Sequence, residues 1–225
     1  MNFLALINRY KRECGVSGPA ITNVDTVSNE HLRLRDWIVS AWVDIQSMHN
    51  GQWQFMREES SYNTSAWMTL LSIPEWAADS VNIWKIDTFR ISALGESRAQ
   101  SWPIDYIPYD QFVASVGLNP SEQNRPRYFT VRPGDKAVIL APACDAAYTL
   151  YFEYFSEPVE LEDNNDVPAC PSKYHMLIVY EAMLSYGAFE AAAEVLGRAE
   201  KKKRELLFNM QMTQLPPITF GGPLA

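Results

Sequence analysis

Apolar positions recur at helical spacing at both ends of the chain and at a spacing of two through its middle. Phe3, Leu4, Leu6, Ile7 and Tyr10 fall near one face of a helix over residues 2–14, and Gly15 follows as a stop. The stretch VSGPAITNVDTV has Pro, Gly and β-branched residues without helical period, which predicts a loop or extended connector. A second helix is better marked. Ser28 suits an N-cap, Glu30 and Asp36 suit the positive end of the helix dipole, and Asn50-Gly51 closes it. Between them Leu34, Trp37, Ile38, Ala41, Trp42, Ile45 and Met48 form one apolar stripe, so this helix packs along its whole length.

From Trp53 to Phe155 the period is two, with β-branched and aromatic runs broken by turn residues. Pro133-Gly134-Asp135 predicts a turn in which Gly takes a positive φ, joining RYFTV to KAVIL as a hairpin. In YTLYFEYF, Tyr148, Leu150, Phe152 and Tyr154 share one face, while Thr149, Tyr151, Glu153 and Phe155 share the other. Aromatics on both faces predict a strand between two layers. One short helical turn is expected at 110–116, followed by a polar loop with Pro120 and Pro126. The acidic, Pro-bounded SEPVELEDNNDVPACP serves as the linker out of the β region.

Pro171-Ser172 opens the longest helical signal. Tyr174, Leu177, Ile178, Met183 and Leu184, then Phe189, Ala192, Val195, Leu196 and Ala199, carry its apolar face. Gly187 and Gly197 are its weak points, and a kink or break is expected near Tyr186-Gly187, giving a helix pair or one bent helix to about Met212. The cationic EKKKRE reads as a solvated face. Pro216-Pro217 stops the helix, yet Leu215, Ile218, Phe220 and Leu224 beyond or beside it are apolar, which favours a tail that docks on a neighbouring chain.

Composition narrows the function. The 225 residues are 47% hydrophobic, enough to bury a core in one domain or in one domain with a large insertion. A net charge of −8 argues against gripping phosphates. No apolar run is long enough for a membrane span, and the N-terminus lacks a signal peptide's pattern, so manufacture in a cytosol is expected. Cys14, Cys144 and Cys170 are widely spaced and read as reduced small hydrophobes, with no metal site expected. His31, His49 and His175 lie near helix ends, where partial exposure and capping or dipole contacts account for them. Gly-rich phosphate loops, nucleophile elbows and zinc-protease motifs do not occur, and Glu58-Glu59 and Asp163 with Asp166 sit in polar connectors. An enzyme and a bound cofactor are therefore not expected.

Three stretches carry a family resemblance. FLALINRYKRECG with RLRDWIVSAWVDIQSMHNGQWQFM, then RPRYFTVRPGDKAVILAPACDAAYTLYFEYFSEPVEL, then VPACPSKYHMLIVYEAMLSYGAFEAAAEVLGRAEKKKRELLFNM, together resemble the head-to-tail adaptor (connector) proteins of tailed bacteriophages; residues 57–127 carry little of the likeness. The resemblance implies an α+β fold, a helical bundle formed by the N- and C-terminal helices with an inserted β-sandwich or barrel-like region. Residues 1–52 and 171–213 would be the helical platform, 53–170 the β-rich insertion and 214–225 an extended tail. It also implies a structural virion protein at the head-to-tail junction, assembled in the host cytoplasm. That protein is a homo-oligomeric ring of about twelve copies whose partners are the portal and a downstream tail protein, with no membrane. DNA would pass through the ring without specific binding, the acidic lumen repelling phosphates. The tail from Pro216 and Pro217 looks like the portal-binding segment, with Ile218, Phe220 and Leu224 as anchors. Two other readings are a tail-tube or head-completion subunit, and a carbohydrate-binding or hydrolytic module motivated by Trp67, Trp76, Trp84 and Trp102.

Overall fold

A computed structural model describes residues 1–26, 30–71, 80–116 and 122–216. Ser28 and Trp76 lie outside them, as does the tail beyond Pro216. Among the described residues the protein is α+β, with helices before and after, in sequence, an inserted β region built of two sheets. The chain divides into two compact units, one of residues 1–56 with 158–225 and one of residues 57–157.

The helical unit begins with α1 (Phe3–Glu13), capped by Asn2, whose side chain accepts from the Ala5 N–H at 3.0 Å. Gly15 ends the helix at φ +72, a left-handed turn that suits glycine, and Val16 N–H reaches back to Lys11 C=O at 3.0 Å. Phe3, Leu6, Ile7 and Tyr10 are buried along one face, as their spacing predicts. In α2 (Glu30–Ser47) the stripe Leu34, Ile38, Ala41, Trp42 and Ile45 is buried. The close at Asn50-Gly51 is made by three successive left-handed residues, His49, Asn50 and Gly51. This reversal seats Trp53, whose indole N–H donates to Ile45 C=O at 2.8 Å and whose ring stacks on Phe55.

The C-terminal half of this unit is α4 (His175–Phe189) and α5 (Ala193–Gln214). They form a pair, and the break falls at Glu190–Ala192, with Ala191 at φ +51, three residues past the expected site. Gly187 lies within α4, where it lets Leu196 of α5 come close. Tyr10 ties α1 to α4 through a hydrogen bond from its hydroxyl to Ala182 C=O at 3.1 Å, and burial raises its pKa far above the usual range. It remains a neutral donor.

In the β unit the long strand β9 (Tyr148–Ser156) takes β1 (Arg57–Asn63) along one edge. Its other edge pairs with β4 (Arg90–Ala93) and then β3 (Val81–Trp84), and β5 (Trp102–Pro103) adds to β4. The second sheet is ordered β2 (Leu70–Leu71), β8 (Val138–Ala141), β7 (Tyr128–Val131), β6 (Asp105–Tyr106), with β6 and β7 parallel. Phe89, Ile91, Leu150 and Phe152 from the first sheet side meet Phe129, Val138 and Leu140 from the second in one core. This makes the insertion a sandwich.

Of β8's four buried residues, Val138 and Leu140 enter that core, while Ile139 and Ala141 pack under Phe112 of α3 (Tyr109–Ser115). The strand apolar on both faces is thus β8, four consecutive aliphatic residues. β9 is buried on both faces over its second half, where Phe155 and Glu153 occupy the outer face and the charge of Glu153 has to be met. Glu153 is buried and stands directly across from Glu59, a like-charge pair that would repel unaided. Arg57 donates from Nε to Glu153 at 2.7 Å, and Arg98 spans the pair, donating to Glu59 and at 3.3 Å to Glu153.

The hairpin β7–β8 forms at Pro133-Gly134-Asp135, with Arg132 N–H donating to Ala137 C=O at 2.8 Å. Its left-handed residue is Lys136 at φ 57, while Gly134 keeps an ordinary φ. Asp135 accepts from Arg132 Nε at 2.8 Å and from the Ala137 N–H at 3.2 Å, and the Arg132 hydrogen bond holds its carboxyl down at about 2. The side-chain latch carries the turn that Gly was expected to make.

Candidate functional site

For a chain with no catalytic motif, the chemistry to look for is that of surfaces. The last helix, α5, is unusual for its length. Over 22 residues only Ala199 and Met210 are fully buried, although Val195 and Leu196 are half-buried. Phe189, expected on the packed face, stands 56% exposed, its ring covered in part by the Arg33 guanidinium at 4.2 Å and set beside Trp37. Phe208 and Met212 are 61% and 71% exposed. Their spacing of four is visible in the sequence.

The cations of EKKKRE divide by face. Lys203 pairs with Glu181 of α4, and Lys202 with Glu205 at 3.0 Å. Lys201 and Arg204 are exposed and have no ion-pair partner among the described residues. Tyr174, the last residue of the short turn that enters α4, donates to Asn209 C=O at 3.0 Å and so fixes the far end of α5 against the bundle. The helix ends at Gln214 and the chain leaves it through Leu215 to Pro216, which is exposed; Pro217, Ile218, Phe220 and Leu224 lie outside the described residues.

His175 departs from its expected half-exposed setting, being only 2% exposed. Its Nε2 lies 3.1 Å from Cys170 C=O, a distance at which the neutral ring donates. Burial holds its pKa below the usual 6.5. The lowered folded-state value has a sign: stability is whole above the unfolded pKa and is lost as pH falls through the folded one. Stability of the protein should therefore fall as pH drops below about 6.5, and His175→Gln should flatten that part of the profile; thermal melts from about pH 7.5 to 5 check it. An unchanged slope in the variant would assign the acid loss elsewhere.

The three cysteines are free and buried. Burial pushes the Cys14 and Cys170 thiols up to about 12 and raises that of Cys144, so all three stay protonated and unreactive at neutral pH. Among the described residues no group of His, Cys, Asp and Glu is placed to hold a metal ion, and no helix is long and apolar enough to cross a membrane. Of the tryptophans that motivated a sugar platform, Trp84 is a core residue. Its ring meets Phe89, Phe152 and Tyr154, and its N–H donates to Lys136 C=O at 2.8 Å. Trp102 lies under the Arg125 guanidinium at 4.5 Å, and Trp67 projects from a turn at φ 66.

A family model described as SU10 adaptor protein matches residues 1–217. The chain belongs to the SU10 adaptor family. The match begins just before α1, takes in the whole β unit and ends just past α5. Membership makes the protein a structural bacteriophage adaptor, a class in which surfaces do the work that active sites do in enzymes. No curated protein matches the chain.

Proposed function

We propose that the protein forms the adaptor ring between portal and tail, with about twelve copies in the ring. In this reading it sits at the head-to-tail junction of the virion after assembly in the host cytoplasm. Its partners are the portal, a downstream tail protein and further copies of itself. The helices form the platform, the β unit is an insertion into it, and DNA passes through the lumen without specific binding. The net charge of −8 supports that passage, because an acidic wall repels phosphates. No catalytic step is assigned to the chain.

The observation that carries the reading is the family match over residues 1–217, joined to an α5 that delivers its end to Pro216 at the surface. Beyond that point ITFGGPLA offers apolar groups at Ile218, Phe220 and Leu224 without helix-forming sequence. Such a segment binds by filling pockets as an extended strap. Deleting residues 217–225 should weaken attachment to the portal oligomer of the same phage by at least about a hundredfold, with the melting temperature unchanged. Co-sedimentation with the portal reads it. Full attachment of the truncated chain would rule out the tail as the anchor.

A further inference from the structure

Lys201, Arg204, Phe208 and Met212 follow one another at spacings of three, four and four, and so form a single stripe along about 16 Å of α5. All four side chains are exposed. Its first half is cationic, with no ion-pair partner among the described residues, and its second half is apolar.

A surface of the opposite character lies elsewhere on the same unit. Between the segment Glu160–Glu162 and α2 is a groove of about 380 Å³. Phe3, Val39, Ser40 and Leu161 line it, the Arg35–Asp36 ion pair lies within its lining, and Asp25, Glu160 and Glu162 rim it. None of these three carboxylates has an ion pair among the described residues; Asp36 nearby is occupied by Arg35 at 2.9 Å. Exposed Val159 and Val167 flank the acidic segment. The segment is fixed in place: Gln46 of α2 donates to Val159 C=O at 2.9 Å, and Asn164 accepts from the Val24 N–H at 2.9 Å.

We propose that the α5 stripe of one copy docks in the acid-rimmed groove of the next. Lys201 and Arg204 meet the rim carboxylates, and Phe208 and Met212 cover apolar surface at the groove. With the stripe of each copy given to one neighbour and its groove to another, the contact is heterologous, and repeated head to tail it generates a ring or an open helix. A nucleic acid would satisfy the two cations but offers nothing to Phe208 and Met212, and it faces a chain of charge −8. The inference rests on the adaptor reading and adds to it which surfaces join the copies.

The test uses the full chain in sedimentation velocity, alone and with the portal oligomer. Lys201→Glu with Arg204→Glu, and separately Glu160→Lys with Glu162→Lys, should each weaken association between copies by at least about tenfold. All five side chains involved in rim and stripe charge are at the surface, so each variant should melt as wild type does. Mixing the two variants, or combining all four changes in one chain, should restore association, because complementary charges face each other again. Wild-type assembly that neither reversal disturbs overturns the inference and leaves the adaptor reading standing; if such variants instead lose binding to duplex DNA, the stripe is a nucleic-acid surface. A wild-type chain that associates neither alone nor on the portal overturns both.

Discussion

Phe89→Ala is expected to destabilise the β unit by about 3–5 kcal/mol, the range for truncating a fully buried phenylalanine. Phe89 sits where the two sheets meet. Its ring is stacked 4.2 Å from Phe129 of the second sheet and 5.8 Å from Phe152 of the first, and Trp84 stands edge-on at 5.6 Å. Removing it opens a cavity bounded by three rings held by strand pairing, which limits how far they can collapse. Trp84 provides the readout, since its fluorescence changes with the packing around it. Urea unfolding of wild type and variant gives the difference. A loss under about 1 kcal/mol would mean that the sheets close over the gap and that Phe89 is not the central contact.

Much of this architecture was legible where local pattern and tertiary packing demand the same thing. The α1 stripe, its Gly15 stop, the α2 stripe and the short helix α3 all follow from apolar spacing and breaker residues. Partnerships across long sequence separations were not legible. β8 is four apolar residues, too short for periodicity to separate a one-sided strand from one buried on both faces. On β9, Glu153 looked like one acid among 27, and only the fold brings Arg57 and Arg98 to it. The burial of His175 was hidden for the same reason: a helix end is usually wet, but this one begins against Met1 and the Cys170 segment. The assembly surfaces were half legible. The sequence pointed to the apolar tail, and helical periodicity around Val195–Ala199 hid the fact that α5 leaves Phe208 and Met212 uncovered.

The two glycines of the C-terminal helices looked alike in the sequence and should respond oppositely to substitution. A Cβ at Gly187 would fall 2.7 Å from Leu196 Cγ, 2.9 Å from its Cδ2 and 3.3 Å from its backbone nitrogen. The first two contacts are shorter than real carbons tolerate, and the third means that rotating Leu196 does not clear the space. Gly187→Val must therefore push α5 away from α4, at a cost of about 3 kcal/mol. Gly197, one turn into α5, has nothing within 4 Å of its would-be Cβ. There Gly197→Ala removes backbone freedom from the unfolded chain and should stabilise by up to about 1 kcal/mol. Paired chemical denaturation of the two variants checks both signs. If Gly187→Val were as stable as wild type, the close approach of α4 and α5 would not be what holds α5 in place. The stripe on α5 depends on that approach: a helix with only two fully buried residues is positioned mainly by its contacts with α4, so Gly187→Val should also loosen association between copies, whereas Gly197→Ala should leave it intact.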